Sequence, residues 1–279
     1  MRYAIGVPNI GRFADPGALV ALAGDAEAAG WDGFFVWDHM THRRPWQSIV
    51  DPWIVLGAVA TTTQRLRIGA MVTPLPRRRP WKVARETATL DVLSGGRLVV
   101  GVGLGAPSEE FRAFGEDDDA RVRGEKLDES LEIITGLWNG QPFTFHGRHY
   151  SITDVQFTPV PIQRPRVPIW VAGRWPNRRP FRRAARWDGV FPTLAGAPPR
   201  ATMPPEQLAE VIAYARRHRA GDDPIDAAIE GESPPGRAGA NVVEPYGEVG
   251  LTWWIEALSR VQGSLQDVRA RVRDGPPAT

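Results

Sequence analysis

The chain has no cysteine, which excludes disulfide bonds and thiolate chemistry. Lysine is almost missing too: it stands only at Lys82 and Lys126, so all but two of the 34 basic residues are arginine. The arginines are interspersed with 32 acids and the net charge is only +2. A nucleic-acid surface needs a stripe of one sign, and none is evident. No apolar run reaches the length of a membrane span, and the opening MRYAIGVP is too short for a secretory leader. The histidines other than His39 (His42, His146, His149, His218) are scattered, without metal-ligand spacing. No serine sits in a nucleophile-elbow motif. These absences point to a cytoplasmic enzyme with neither a metal nor a covalent nucleophile, free of nucleic acid and membrane.

What is present is an ordinary globular composition, 42% hydrophobic and 24% charged, in 279 residues. Strand and helix patterns alternate from end to end. Apolar runs at Tyr3–Val7, Gly33–Trp37, Leu66–Thr73, Arg97–Leu104, Ile169–Ala172, Gly189–Pro192, Ile225–Ile229 and Thr252–Ile255 read as buried parallel strands. Between them, Asp15-Pro16 and Asp51-Pro52 each give a cap followed by a first-turn proline. Pro80 opens a helix that stops at Gly95-Gly96, and Arg121–Trp138 is the clearest amphipathic helix. Ser264–Asp267 resembles a capping box that opens the last helix. Eight strands in alternation with helices predict an α/β fold, a (β/α)8 TIM barrel forming a single domain over residues 1–279. A doubly wound open sheet is the alternative. Asn139–Pro165 is an insertion after the fourth helix that should fold as a functional loop. Arg43–Ser48 is a second lid segment. Only a short helix is expected in Gly236–Glu248, and Gly275-Pro276-Pro277 should be a frayed tail.

In such a barrel the active site lies at the C-terminal strand ends. These ends supply Asp38 and His39, then Met71, Val72 and Thr73, then Leu104, Gly105 and Ala106. Gly173, Arg174, Phe191, Glu230, Trp254 and Glu256 follow. The fourth strand ends in Gly101, Gly103 and Gly105; alternate glycines clear one face, either for a flat ring or for tight packing. An apolar mouth with one His-Asp pair suits a large planar cofactor that carries the chemistry itself. His39 could exchange a proton or orient a ring carbonyl, since imidazole titrates near neutrality. Asp38 could orient His39 or bond the following loop. Ala172-Gly173-Arg174-Trp175-Pro176-Asn177-Arg178 leaves a strand and enters a helix, the arrangement that binds phosphate. The arginine clusters at Arg77–Arg79, Arg178–Arg179 and Arg182–Arg183 are either anion sites or solvated surface.

The chain resembles the bacterial luciferase-like superfamily of flavin-dependent oxidoreductases. The resemblance rests on WDH at Trp37–His39, RIGAMVTP at Arg67–Pro74 and PWKVARETATLDVLSGGRLVVGVGLG at Pro80–Gly105. It extends to RGEKLDESLEIITGLWNG at Arg123–Gly140, PIWVAG at Pro168–Gly173, RAARWDGVFP at Arg183–Pro192 and TWWIE at Thr252–Glu256. It implies a barrel that binds reduced FMN or the deazaflavin coenzyme F-420 across its mouth and acts on a small organic substrate, as a monooxygenase or by hydride transfer. It also implies a cis peptide at Met71–Val72, a ring and phosphate lined by Gly103, Leu104, Gly105, Ala172, Gly173 and Arg174, and an Asp38-His39 pair like that of deazaflavin-dependent dehydrogenases. From the strand ends and the turn after the fifth strand, Met71, Val72, Thr73, Asn177 and Arg178 join the cofactor lining and Glu256 the catalytic candidates. A flavin reductase or NAD(P)H as electron source and a homodimer are the familial expectations. Two positions depart from known members: Leu104 stands where luciferase proper has an arginine. Ala106 stands where the sugar-phosphate dehydrogenase has an acid, with Glu109 and Glu110 slightly later. The other readings are a metal-free hydrolase or isomerase using Glu230 with Glu256, and a degenerate barrel with a filled mouth.

Overall fold

The computed structural model describes residues 1–41, 45, 47–198 and 201–277. The barrel begins with β1 (Arg2–Val7), α1 (Pro16–Ala28), β2 (Gly33–Val36) and α2 (Pro52–Thr62). It continues through β3 (Arg67–Ala70), β4 (Thr73–Pro74), α3 (Pro80–Leu93), β5 (Val100–Gly103), α4 (Glu109–Arg112) and α5 (Ala120–Trp138). A hairpin of β6 (Phe143–His146) and β7 (Ser151–Val155) interrupts the alternation. Then come β8 (Ile169–Trp175), α6 (Arg178–Ala184), β9 (Gly189–Leu194), α7 (Pro205–Arg217), β10 (Asp226–Gly231), α8 (Gly236–Glu248), β11 (Trp253–Ala257) and α9 (Leu265–Arg273).

The parallel sheet runs β3-β2-β1-β11-β10-β9-β8-β5-β4. Its two ends meet: the Ile68 amide donates to the Arg97 carbonyl at 3.0 Å and the Val99 amide to the Ile68 carbonyl at 2.9 Å. This closure makes a barrel and rules out the doubly wound sheet. The third strand is not continuous as expected. It breaks after Ala70, and β4 resumes past a cis peptide at Met71–Val72 to pair with β5 through Thr73–Val102 and Pro74–Gly103.

Alternation along each strand sorts side chains into two cores. Residues such as Ile5, Phe34, Ile68, Val100, Val171 and Ile229 face the helices. Ala4, Phe35, Met71, Val99, Trp170, Phe191, Ala228, Trp253 and Ile255 fill the barrel itself. Trp170 and Trp253 lie 5.4 Å apart between ring centroids, with Phe35 at 5.6 and 5.9 Å from them. This edge-on aromatic layer closes the barrel interior.

The caps form as read. Asp15 accepts from Ala18, Asp51 from Trp53 and Ile54, and Ser264 with Asp267 makes a reciprocal capping box. Two expectations need correction. α8 is a full helix of 13 residues that carries Pro245, packing Val243 and Tyr246 inward. Gly275 and Pro277 are buried rather than frayed, because Arg271 donates to the Gly275 carbonyl at 2.9 Å and Pro277 packs against Gly239. Positions 43, 44 and 46 of the second lid segment lie outside the described residues. Among the described residues no helix is long and apolar enough to cross a membrane.

Candidate active site

Above the aromatic layer the inward positions become small or polar. Gly101 and Gly103 continue β5, Ala172 and Arg174 continue β8, Thr193 follows Phe191, and Glu230 follows Ala228. Val72, Ala172, Leu104, Gly105 and Glu230 keep accessible surface, and Arg174 and Thr193 are exposed. The barrel is thus packed below and open at its C-terminal face.

His39 leaves β2 at this rim with its side chain 22% exposed. Asn9, fully buried after β1, fixes its backbone: the Asn9 amide donates to the His39 carbonyl at 2.9 Å and its oxygen accepts from the His39 amide at 3.2 Å. The imidazole Nδ1 lies 2.6 Å from Glu110 Oε1, and the Met40 amide donates to the other oxygen at 3.3 Å. Burial alone would raise the Glu110 carboxyl. The bond from His39, the Arg77 guanidinium and the Met40 amide outweigh it and hold the group below the usual carboxylate range. Arg77 bonds Glu110 and reaches Asp38, while Arg78 donates from Nη2 to both Asp38 oxygens at 2.9 and 2.7 Å. Asp38 therefore does not orient His39. Strand alternation points it away from the mouth, where two arginines from the turn after β4 neutralise it. Arg77 and Arg78 are accordingly neither solvated surface nor an anion site, and Arg79 alone of the run is exposed.

The glycines of β5 clear room for the protein's own chain. A Cβ on Gly101 would stand 2.4 Å from the Ala70 carbonyl and 2.5 Å from the Met71 sulfur, and one on Gly103 2.9 Å from Val72. Gly105, at φ +82°, is crowded by Pro74 and Phe111. The glycine face thus seats the Met71–Val72 segment, which stands between β5 and the mouth. Val72 and Leu104 remain accessible beside it, whereas Thr73 is fully buried and its hydroxyl has no partner among the described residues. Arg123, from the first turn of α5, donates to the Leu104 and Gly105 carbonyls at 3.3 and 3.1 Å, with its guanidinium 4.6 Å over Phe111. It clamps the loop after β5 from behind.

At the end of β8, Gly173 makes room for Pro180 and Phe181 of α6, since its Cβ would come within 2.5 Å of Pro180. Asn177 caps α6 without a side-chain bond. Arg178 is turned aside, 5.1 Å over Tyr214 and 5.9 Å from Trp175, in a groove between α6 and α7. Of this segment, Ala172 and Arg174 face the mouth. Glu256 is not at the mouth either: Ser233 donates to it from its amide (3.0 Å) and hydroxyl (2.6 Å), Trp254 at 3.1 Å, and Arg271 stands 3.4 Å away. It ties β11 to α9. Glu230 points the opposite way, into the barrel, so the two acids do not converge. The hydrolase reading loses its only carboxylate pair.

Sequence reasoning missed Asn9, Arg123 and the pairing of Glu110 with His39, and it read Arg77 as an anion site or solvated surface rather than as the holder of Glu110. An acid following the glycine loop was the one available signal, and the short helix α4 is what brings Glu110 round to the histidine.

The model for the family of luciferase-like monooxygenases matches residues 4–271. The chain is similar to an uncharacterised protein of Mycobacterium tuberculosis, 31% identical over 219 residues, 72% of this chain and 70% of that one. It is 34% identical over 191 residues to the F420-dependent glucose-6-phosphate dehydrogenase of Microbacterium testaceum, spanning 66% of this chain and 54% of the relative. In fold it is similar to the monooxygenase RslO1 from Streptomyces bottropensis, with TM-score 0.76, 21% identity and coverage of 98% and 97%. The oxygenating constituent of 3,6-diketocamphane monooxygenase from Pseudomonas putida, solved with FMN, gives TM-score 0.67, 19% identity and coverage of 84% and 67%. With nearly its whole length matched, this closed barrel belongs to the luciferase-like monooxygenase family of flavin- and deazaflavin-dependent oxidoreductases.

Proposed function

We propose that the barrel mouth passes hydride between a bound deazaflavin coenzyme and a small hydroxyl- or carbonyl-bearing substrate, with His39 moving the accompanying proton. The observation that carries this reading is the 2.6 Å bond from His39 to a buried carboxylate. A flat conjugated ring suits the residues present. Val72, Leu104 and Ala172 offer accessible apolar surface above a packed aromatic floor, and Arg174 and Thr193 supply polar groups on the rim. When bound, either a flavin or the deazaflavin coenzyme supplies a two-electron hydride carrier.

Oxidation of an alcohol releases a hydride from carbon and a proton from oxygen. His39 takes the proton as the O–H bond breaks, and ionised Glu110 stabilises the imidazolium that results. Arg77 holds Glu110 in place, and Asn9 holds the backbone that carries the imidazole. In the reverse direction the same pair returns the proton to a developing alkoxide. The choice of the deazaflavin coenzyme over FMN follows from this proton-handling pair and from the dehydrogenase relative. A cytoplasmic setting, an oxidant such as NAD(P)+ to take the hydride from the reduced coenzyme after alcohol oxidation (a reductase or NAD(P)H in the reverse direction), and the family's homodimer belong to the same proposal.

The test supplies each cofactor with a panel of small alcohols and follows cofactor absorbance and oxygen uptake together. Reduction of the deazaflavin coenzyme without oxygen uptake is the expected result. Oxygen uptake with reduced FMN, and no alcohol-dependent reduction of the deazaflavin, would make the enzyme an oxygenase instead.

A further inference from the structure

Glu230 is a carboxyl that the proton chemistry above does not use. It pairs in register with Ile255 and follows Ala228, both in the barrel interior, so its side chain enters the barrel. Gly6 of β1, on the far side of β11, leaves room for it, since a Cβ there would stand 2.7 Å from Glu230 Oε1. The same oxygen accepts from Trp37 Nε1 at 3.1 Å, and the Trp37 ring meets His39 edge-on, with centroids 5.8 Å apart. The group is thickly surrounded by protein yet keeps accessible surface. Burial pushes the carboxyl above its ordinary range, against the Trp37 bond and the field of Arg260, which is itself bonded to Thr202 at 2.8 Å.

From this placement we propose that Glu230 is the substrate-recognition group of the mouth, accepting a hydroxyl or ammonium donor from the substrate and excluding phosphate and carboxylate. One oxygen is committed to Trp37, whose ring lies against His39, and the residue keeps accessible surface. A donor that reaches it regains the hydrogen bond that burial has denied. An ammonium group also brings a charge that favours the ionised carboxylate, the form that burial disfavours. A phosphate or carboxylate instead brings a like charge that opposes the ionised form. The proposal rests on the mouth being the substrate site, but not on the identity of the cofactor.

The test uses three probes on one skeleton: propylene glycol, isopropanolamine and propylene glycol phosphate. The reporter is the Trp37 indole N–H resonance, assigned by its disappearance in Trp37→Phe, which requires neither cofactor nor turnover. In the wild type the glycol and the amine should shift this resonance and bind at least about tenfold more tightly than the phosphate, the ratio expected for one hydrogen bond to a charged group. Glu230→Leu should lose that preference, and the isosteric Glu230→Gln should keep the glycol while losing the advantage of the amine. Equal affinity for the phosphate in the wild type, an unchanged preference in Glu230→Leu, or no response to any probe would overturn the assignment. If the preference stands while no cofactor is reduced, the hydride reading fails and the recognition role survives.

Discussion

The mouth holds two acids with opposite electrostatics. Glu110 is depressed by His39, Arg77 and the Met40 amide despite its burial; Glu230 is raised by burial. Glu110 therefore adds stability above the ordinary carboxylate range and loses it as pH falls through its folded value. Glu230 does the reverse: its cost is absent in acid and grows as pH rises through the ordinary range toward its folded value. Glu230→Gln should then melt higher than the wild type at pH 7 to 8 and no higher at pH 4; a parallel displacement at both pH values would contradict the shift. For the proton-moving pair, His39→Ala should cut turnover by about 10²- to 10⁴-fold with cofactor affinity little changed, and Glu110→Gln should lower kcat more than it raises KM. Full turnover in His39→Ala would remove the imidazole from the mechanism. His39 was legible in the sequence because it ends an apolar run. Asp38 was one reading of its partner and Glu110 is the observed one, since adjacency in the chain ignores the alternation that sends consecutive strand residues to opposite faces.

At the scale of elements, the glycines of β5 were visible in the sequence and their use was not. Strand periodicity shows that Gly101 and Gly103 share a face but cannot show what lies across from it. The structure fills that space with Met71 and Val72 from the break between β3 and β4. Gly101→Ala would press a methyl group onto the Ala70 carbonyl, which as backbone cannot yield cheaply. It should destabilise the fold by about 1–3 kcal/mol in denaturant titration, the range found for overpacked cores. An unchanged midpoint would mean that the β3–β4 break is freer to move than its packing implies. The helices with caps were the most readable elements, because Asp15, Asp51 and Ser264 declare their starts locally. α8 was underread for the opposite reason: it has no side-chain cap and carries Pro245 inside. The tail was misjudged because Gly275-Pro276-Pro277 looks frayed until Arg271 and Gly239 are brought beside it.

For the molecule as a whole, alternating strands and helices were enough to give a barrel. Closure depended on one pairing, of Ile68 in β3 with Leu98 just before β5, that no sequence pattern specifies. The closed barrel leaves a packed floor and an open C-terminal face, and on that hollow the functional account rests. Ala172 points into it, so Ala172→Trp should fill it without touching Glu110, Arg77 or Asp38. The decisive measurement titrates the wild type and Ala172→Trp with the deazaflavin coenzyme and with FMN, following quenching of cofactor fluorescence. The account predicts saturable binding of the deazaflavin by the wild type and its loss, by at least about tenfold in affinity, in a folded Ala172→Trp. Binding of neither cofactor by the wild type, or equal binding by the variant, would contradict it.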